Sequence, residues 1–331
     1  MTARVTMSDV AARAQVSTKT VSNVLRGVEG ASAATRARVL KAVDELGYTL
    51  NTSASALRSG HRGAVTLAVP TLLQPLVADF AEALMRAAGR TPVILELTRG
   101  ETERETAVLS GAWLRRSGAA VFMPRALDPA SIEVPNGLPL VLLADDGPTD
   151  VSRVSCPPQE QTRLVAAHLR EQGCTGAAII GTREPADRWT EACASGLRGA
   201  GLDVPEELVV RVPEPDGVRG GVEAVSRLLR SGHRLDAVVC HNDALAAGAM
   251  GTLMRRGLRV PRDVVVVGRG NTDAAAFAVP TLTSVSTGAY HCARAVMEIL
   301  EPFLAGQQGE SPRVVTVAPT LTTRRSSLRL A

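Results

Sequence analysis

From residue 64 onward, short runs of β-branched and aliphatic residues alternate with longer stretches whose apolar positions recur every three or four residues. The runs are 65–69, 93–97, 119–123, 140–143, 177–180, 208–212, 237–240 and 264–267. The stretches between and after them are 77–88, 102–117, 161–171, 189–200, 218–230, 245–256 and 289–304. Continuously apolar strands separated by helices predict parallel sheets covered on both faces. This part of the chain is long for one sheet, so the pattern predicts two doubly wound α/β subdomains with a cleft between them.

Ahead of residue 64 the pattern is helical throughout. Thr6-Met7-Ser8-Asp9 has the form of a capping box opening a first helix. Ser17 is placed to cap a second helix with Val21, Val24 and Leu25 inward and Thr18, Lys19, Ser22 and Asn23 outward. Ser32 is placed to cap a third, residues 33–46, with Val39, Val43 and Leu46 inward and Gly47 to stop it. A shared core is expected around Val10, Val16, Val21, Val24, Leu40 and Val43. Three such helices make an all-α helix-turn-helix unit, and the slim polar face of the second can enter a major groove and meet base edges.

Composition narrows the class. The 331 residues are 45% hydrophobic and 21% charged, as in globular proteins. No apolar run approaches the roughly 18 residues of a membrane span, and residues 1–8 lack the apolar stretch of a secretory signal, so a cytoplasmic location and no membrane partner are expected. The five cysteines are scattered without a C-x-x-C pair, which predicts buried reduced thiols, no disulfide framework and no metal site. With eight aromatics, the core must rest on Val, Leu, Ile and Ala.

Charge is unevenly placed. Residues 1–62 carry nine Lys/Arg against four Asp/Glu, a net +5, and the rest of the chain is at −1. A basic head on a near-neutral body is the footprint of a polyanionic partner.

The stretch from Asp9-Val10-Ala11 through Val16-Ser17-Thr18-Lys19-Thr20-Val21-Ser22-Asn23, then Ser32-Ala33-Ala34-Thr35-Arg36 and Leu46-Gly47-Tyr48, resembles the head of the lac repressor family of bacterial transcription factors. The resemblance implies that Thr18, Lys19 and Asn23 read bases and that Ser17, Thr20, Ser22, Ser32 and Thr35 touch phosphates. The chemistry agrees, since Lys donates to guanine, Asn pairs with adenine and hydroxyls serve phosphate oxygens. Residues 49–62 would be a hinge that folds on operator DNA. There Leu57 would wedge into the central minor-groove step, unstacking it in return for contacts that the kink permits. The family usually has proline before the hinge asparagine, and Leu50 stands there instead.

Further motifs, Asp236-Ala237-Val238-Val239-Cys240-His241-Asn242-Asp243, Pro280-Thr281-Leu282-Thr283-Ser284 and Thr323-Arg324-Arg325-Ser326, extend the resemblance over most of the body. They imply a periplasmic-binding-protein-like body with three crossovers, a ligand cleft and a dimer interface. The expected organisation is a head at 1–48, a hinge at 49–62 and an effector-binding and dimerisation body at 63–331. Within the body, one subdomain would comprise about 63–158 plus 288–318 and the other about 159–287. Relatives follow the strand ending in Val-Gly with an aromatic and two aspartates, whereas Val267-Gly268 is followed here by Arg269-Gly270-Asn271. Candidate effector contacts are therefore Asn242, Arg188, Trp189, Arg269 and Phe277, with Asp243 structural at a helix start.

No H-x-x-x-H pair, nucleophile elbow or Walker loop occurs, so neither catalysis nor a cofactor is expected. The reading is a homodimeric transcriptional regulator, a repressor, binding palindromic double-stranded operator DNA under control of a small-molecule effector. Two alternatives stay open: a cytoplasmic small-molecule-binding protein with a degenerate head, and a regulator whose cleft no longer senses ligand.

Overall fold

The computed structural model describes residues 6–25, 32–46, 63–109, 118–134, 139–183, 188–213, 217–307 and 311–329. The chain divides into two compact units, Met1–His61 and Arg62–Ala331. The expected hinge, with Leu57, lies outside the described residues.

In the first unit, α1 (Met7–Ala14), α2 (Thr18–Leu25) and α3 (Ala33–Leu46) pack on one another. The capping box forms: Asp9 N–H donates to Thr6 Oγ1, while Thr6 N–H and Oγ1 both donate to Asp9 Oδ2 at 2.7 Å. The Thr6 hydroxyl, then its N–H, hold the Asp9 carboxyl below its ordinary range. Ser17 and Ser32 start the other two helices alike, accepting from the N–H of Thr20 (3.1 Å) and of Thr35 (3.2 Å). Val10, Val21, Val24, Val39 and Ala42 close the core. Leu40 departs from expectation, being 49% exposed: with Val39 and Ala42 inward, the helical turn of about 100° per residue carries its neighbour outward.

The second unit has two lobes, each a six-stranded sheet. The first runs β11-β5-β4-β3-β1-β2, with β1 Ala64–Val69, β2 Val93–Leu97, β3 Gly118–Phe122, β4 Leu140–Leu143, β5 Ser152–Ser155 and β11 Val314–Thr316. The second runs β12-β10-β9-β8-β6-β7, with β6 Ala178–Thr182, β7 Val209–Val212, β8 Ala237–Cys240, β9 Val265–Arg269, β10 Thr283–Ser286 and β12 Thr320–Thr322. All pairings are parallel except β10 with β12. Helices α4 (Pro75–Ala88), α5 (Thr102–Leu109) and α11 (Ala289–Leu304) belong to the first lobe. Helices α6 (Pro158–Glu171), α7 (Trp189–Gly199), α8 (Gly217–Arg230), α9 (Asp243–Arg255) and the short α10 (Asp273–Phe277) belong to the second.

Strands β1, β3 and β8 are buried along their whole length, as sheets covered on both sides require. The core of the first lobe centres on Leu67, Phe80, Leu84, Val121 and Leu300. Helices α8 and α9 approach closely because Gly248 faces the Val218 carbonyl, where any Cβ would collide with backbone. The chain passes between the lobes three times, after β5, after β10 and between β11 and β12.

Candidate functional site

In the head, the exposed positions of α2 are Thr18 and Lys19, with Thr20, Ser22 and Asn23 half-buried on the same helix. Hydroxyls recur in two matching pairs at helix starts: Ser17 with Thr20 and Ser32 with Thr35, each at 2.9 Å. A helix N-terminus with hydroxyls and free N–H groups is a ready phosphate site. Arg13 and Lys41 are drawn to Glu45 on α3, leaving Lys19 as a cation on α2.

In the body, strand topology decides where a ligand can sit. In the first sheet β1 lies between β2 and β3, and in the second β6 lies between β7 and β8, so each sheet reverses strand order there. Crevices at such switch points open at the carboxyl ends of the strands. The residues at or beyond the carboxyl ends of the strands include Asp128 and Asp146 in the first lobe, and Arg188, Trp189, His241 and Arg269 in the second.

Arg188 reaches across the cleft to Asp128 at 3.2 Å and to Asp146 at 3.5 Å, so the carboxyl edges of the two lobes face each other. Asp128 is itself held in place. Glu105 of α5 is fully buried, and its carboxylate accepts the N–H groups of Arg125 (3.0 Å), Ala126 (3.0 Å) and Leu127 (2.9 Å), fixing the loop that presents Asp128. On α4, burial first, then the like charge of Asp273 on the opposite lobe, then Glu82 and Asp243, push the Asp79 carboxyl up.

The second-lobe side is a stacked cluster. Trp189 is only 3% exposed and stands edge-on to the His241 ring at 5.2 Å. The Arg269 guanidinium lies over Trp189, 5.7 Å from the ring centre, and its Nε donates to Gln161 Oε1 at 2.7 Å. Gln161 Nε2 in turn donates to the Cys156 carbonyl at 2.6 Å. Burial pushes the Cys156 thiol up, and the Arg269 charge partly offsets that. The Cys174 and Cys292 thiols are pushed up by burial to about 11 and about 12, so neither is a thiolate at neutral pH.

The structure thus gathers Arg188, Trp189 and Arg269 at the cleft. Asn242 follows His241 as the N-cap of α9, its Oδ1 accepting from Leu245 N–H at 2.8 Å. Phe277 ends α10 and is 84% exposed, close in sequence to the equally exposed Val279. Asp243 is buried and structural: Oδ2 accepts from the N–H (2.8 Å) and hydroxyl (3.0 Å) of Thr272, and Oδ1 accepts from the hydroxyl of Ser284. Sequence reasoning did not single out Asp128, Asp146, Glu105 or Gln161. Gln161 and Glu105 look like ordinary helix-surface residues, and nothing local marks their long-range partners.

Among the described residues, no group of three or more His, Cys, Asp or Glu is placed to hold a metal, and no helix is long and apolar enough to cross a membrane.

Comparison with known proteins bears on both units. The model of bacterial regulatory proteins of the lacI family matches residues 6–51, and that of the periplasmic binding protein-like domain matches residues 166–327. The HTH-type transcriptional regulator GntR of Pseudomonas aeruginosa is 30% identical, covering 93% of this chain and 91% of its own. The chain belongs to the LacI family. An uncharacterised HTH-type regulator of the same kind from the aml 5′ region of Streptomyces limosus is 32% identical over 97% of this chain and 94% of its own. Among solved LacI-family structures, a regulator from Sanguibacter keddieii is 31% identical with a TM-score of 0.70, covering 80% of this chain and 98% of its own. The lac repressor dimer bound to operator and the anti-inducer ONPF shares the fold, with a TM-score of 0.78 at 23% identity over 99% of this chain and all of its own. Membership in the LacI family makes this chain a DNA-binding transcriptional regulator with a periplasmic-binding-protein-like body.

Proposed function

We propose that the protein is a homodimeric transcriptional repressor that binds a palindromic operator through two heads and is modulated by a small molecule held in the body cleft. The observation that carries this reading is the surface of the head. An exposed Thr18 and Lys19 and a half-buried Asn23 lie on one short helix, flanked by two hydroxyl-bearing helix starts, Ser17/Thr20 and Ser32/Thr35. In this reading Thr18, Lys19 and Asn23 meet base edges, Ser17, Thr20, Ser22, Ser32 and Thr35 hold phosphates, and Leu57 enters the central minor-groove step. Dimerisation is supported by large apolar side chains left open on the body, among them Phe277 and Val279 at 84% exposure, Leu73 at 77% and Val218 at 56%. Effector control is supported by the three-strand connection between the lobes and by a cleft whose two walls touch through side chains. A ligand that changes their closure can be coupled to the heads by about 1–3 kcal/mol.

The test is selection of bound sequences from random duplex DNA with the full-length protein at near-physiological salt. Enrichment of a palindrome with a pyrimidine–purine step at its centre is the expected result. Retention that is independent of sequence would overturn it.

A further inference from the structure

In the second-lobe wall, the loop where LacI relatives carry carboxylates is occupied otherwise. Gly270 adopts φ +123°, a conformation that side-chain-bearing residues rarely take, and a Cβ there would stand 3.4 Å from Asp243 Oδ2. Asn271 is turned into the lobe, its N–H donating to Ser284 Oγ at 2.8 Å and its Oδ1 accepting from Arg324 at 2.8 Å. No carboxylate from 270 or 271 is therefore available to accept ligand hydroxyls.

A cation stands there instead. Arg269 is half-buried at the carboxyl end of β9, its guanidinium over the Trp189 ring and its Nε fixed by Gln161. Its two terminal nitrogens make no hydrogen bond or ion pair with the described residues, so the guanidinium is held at Nε with its two-pronged end unmatched by them. Asp128 and Asp146 of the opposite lobe are engaged by Arg188, and a third carboxylate there, Asp145, acts on the same Cys156 thiol as Arg269 without a hydrogen bond or ion pair to that arginine. An immobilised guanidinium fork matches the geometry of a carboxylate or a phosphate, and leaving it unmatched in a partly desolvated cleft is costly.

We infer that the effector of this protein is a small organic acid or phosphate ester whose anionic group is bound by the terminal nitrogens of Arg269. This rests on the reading of the cleft as the effector site. It inverts the polarity of a sugar site, in which a carboxylate accepts hydroxyls from a neutral ligand. The ordering of Arg269 by Trp189 and Gln161 lowers the entropy lost when the anion is captured.

The experiment follows Trp189 fluorescence in full-length protein carrying Trp113→Phe, which leaves a single tryptophan at the cleft. Glucuronate and glucose form a matched pair that differ by a carboxylate, and inorganic phosphate and phosphoglycerate test the other anion. The expected result is a saturable change with glucuronate or with a phosphate and none with glucose. Arg269→Gln should weaken it by about tenfold or more, as loss of a charge-assisted pair implies, and Arg269→Lys should retain part of it. Circular dichroism melts of each variant show whether the fold persists. Binding of glucose that survives Arg269→Gln, or no response to any of these anions at low ionic strength, would overturn the assignment. Failure here leaves the DNA selection unaffected, and failure of that selection leaves the Trp189 titration readable, so the two readings fail separately.

Discussion

Arg188 of the second lobe and Asp128 of the first meet at 3.2 Å across the cleft, with Asp146 at 3.5 Å on the other side of the same guanidinium. All three side chains are half or more exposed, and such pairs contribute only about 0–1 kcal/mol to stability. Their effect is on the angle between the lobes. Arg188→Ala is expected to widen the distribution of distances between spin labels on α4 and α8, with little change in melting temperature. High salt should do the same to the wild type. An unchanged distance distribution would show that closure rests elsewhere.

The Glu105 carboxylate holds three backbone N–H groups in the loop leading to Asp128. Glu105→Gln places an NH2 against donors and leaves at least one N–H buried without an acceptor. A loss of about 2–3 kcal/mol in urea unfolding is expected, since hydrogen bonds to a buried charge are worth that much. Faster amide exchange at residues 125–127 should accompany it.

His168 is buried on α6, with Nε2 at 2.6 Å from Ser327 Oγ, and burial pulls its pKa below the ordinary 6.5, Glu171 opposing weakly. In the folded protein the ring stays neutral at pH values where the unfolded chain binds a proton. Stability contributed this way is present above pH 6.5 and is lost as pH falls below it. Urea midpoints should therefore drop between about pH 7.5 and 5.5, and His168→Gln should flatten that slope. Parallel slopes would assign the effect to other groups.

On the DNA side, Lys19→Ala is expected to change which base is preferred at one position of each half-site, while Thr35→Ala lowers affinity across all sequences. Leu57→Ala should weaken operator binding far more than binding to random DNA. Identical selection profiles for Lys19→Ala and wild type would remove Lys19 from base readout, and equal losses on both DNAs would remove the wedge.

The central apolar strands were legible because burial on both faces leaves no room for polar residues: 140–143 and 237–240 coincide with β4 and β8, while 93–97 coincides with β2 through its aliphatic residues although that strand lies half-exposed at the sheet edge. Strands β5, β10 and β12 were not, since they are short and rich in Ser, Thr and Arg, and β11 was not because it is only three residues long. In β10 the hydroxyls are buried but satisfied at long range, Thr283 by Arg324 and Ser327, and Ser284 by Asp243. A sequence shows such residues as polar and gives no sign of the partner some 40 residues away. The helix starts at Thr6, Ser17 and Ser32 were legible because capping is local. In the cleft, Arg269 was visible as a substitution in a motif. Its fixation by Gln161, 108 residues earlier, was not.

The last described stretch has a consequence for synthesis on the ribosome. β11 adds the edge strand beside β5 of the first sheet, and β12 the edge strand beside β10 of the second. Beyond them, Ser326 Oγ donates to the Val266 carbonyl, Ser327 meets His168, and Arg329 pairs with Asp236. Neither lobe can complete its sheet until residues past 314 have left the exit tunnel, whereas α1 to α3 have emerged long before. A nascent chain therefore carries a formed head on an unfinished body, and loss of the stretch from Val314 onward leaves β5 and β10 as open edges on both sheets at once.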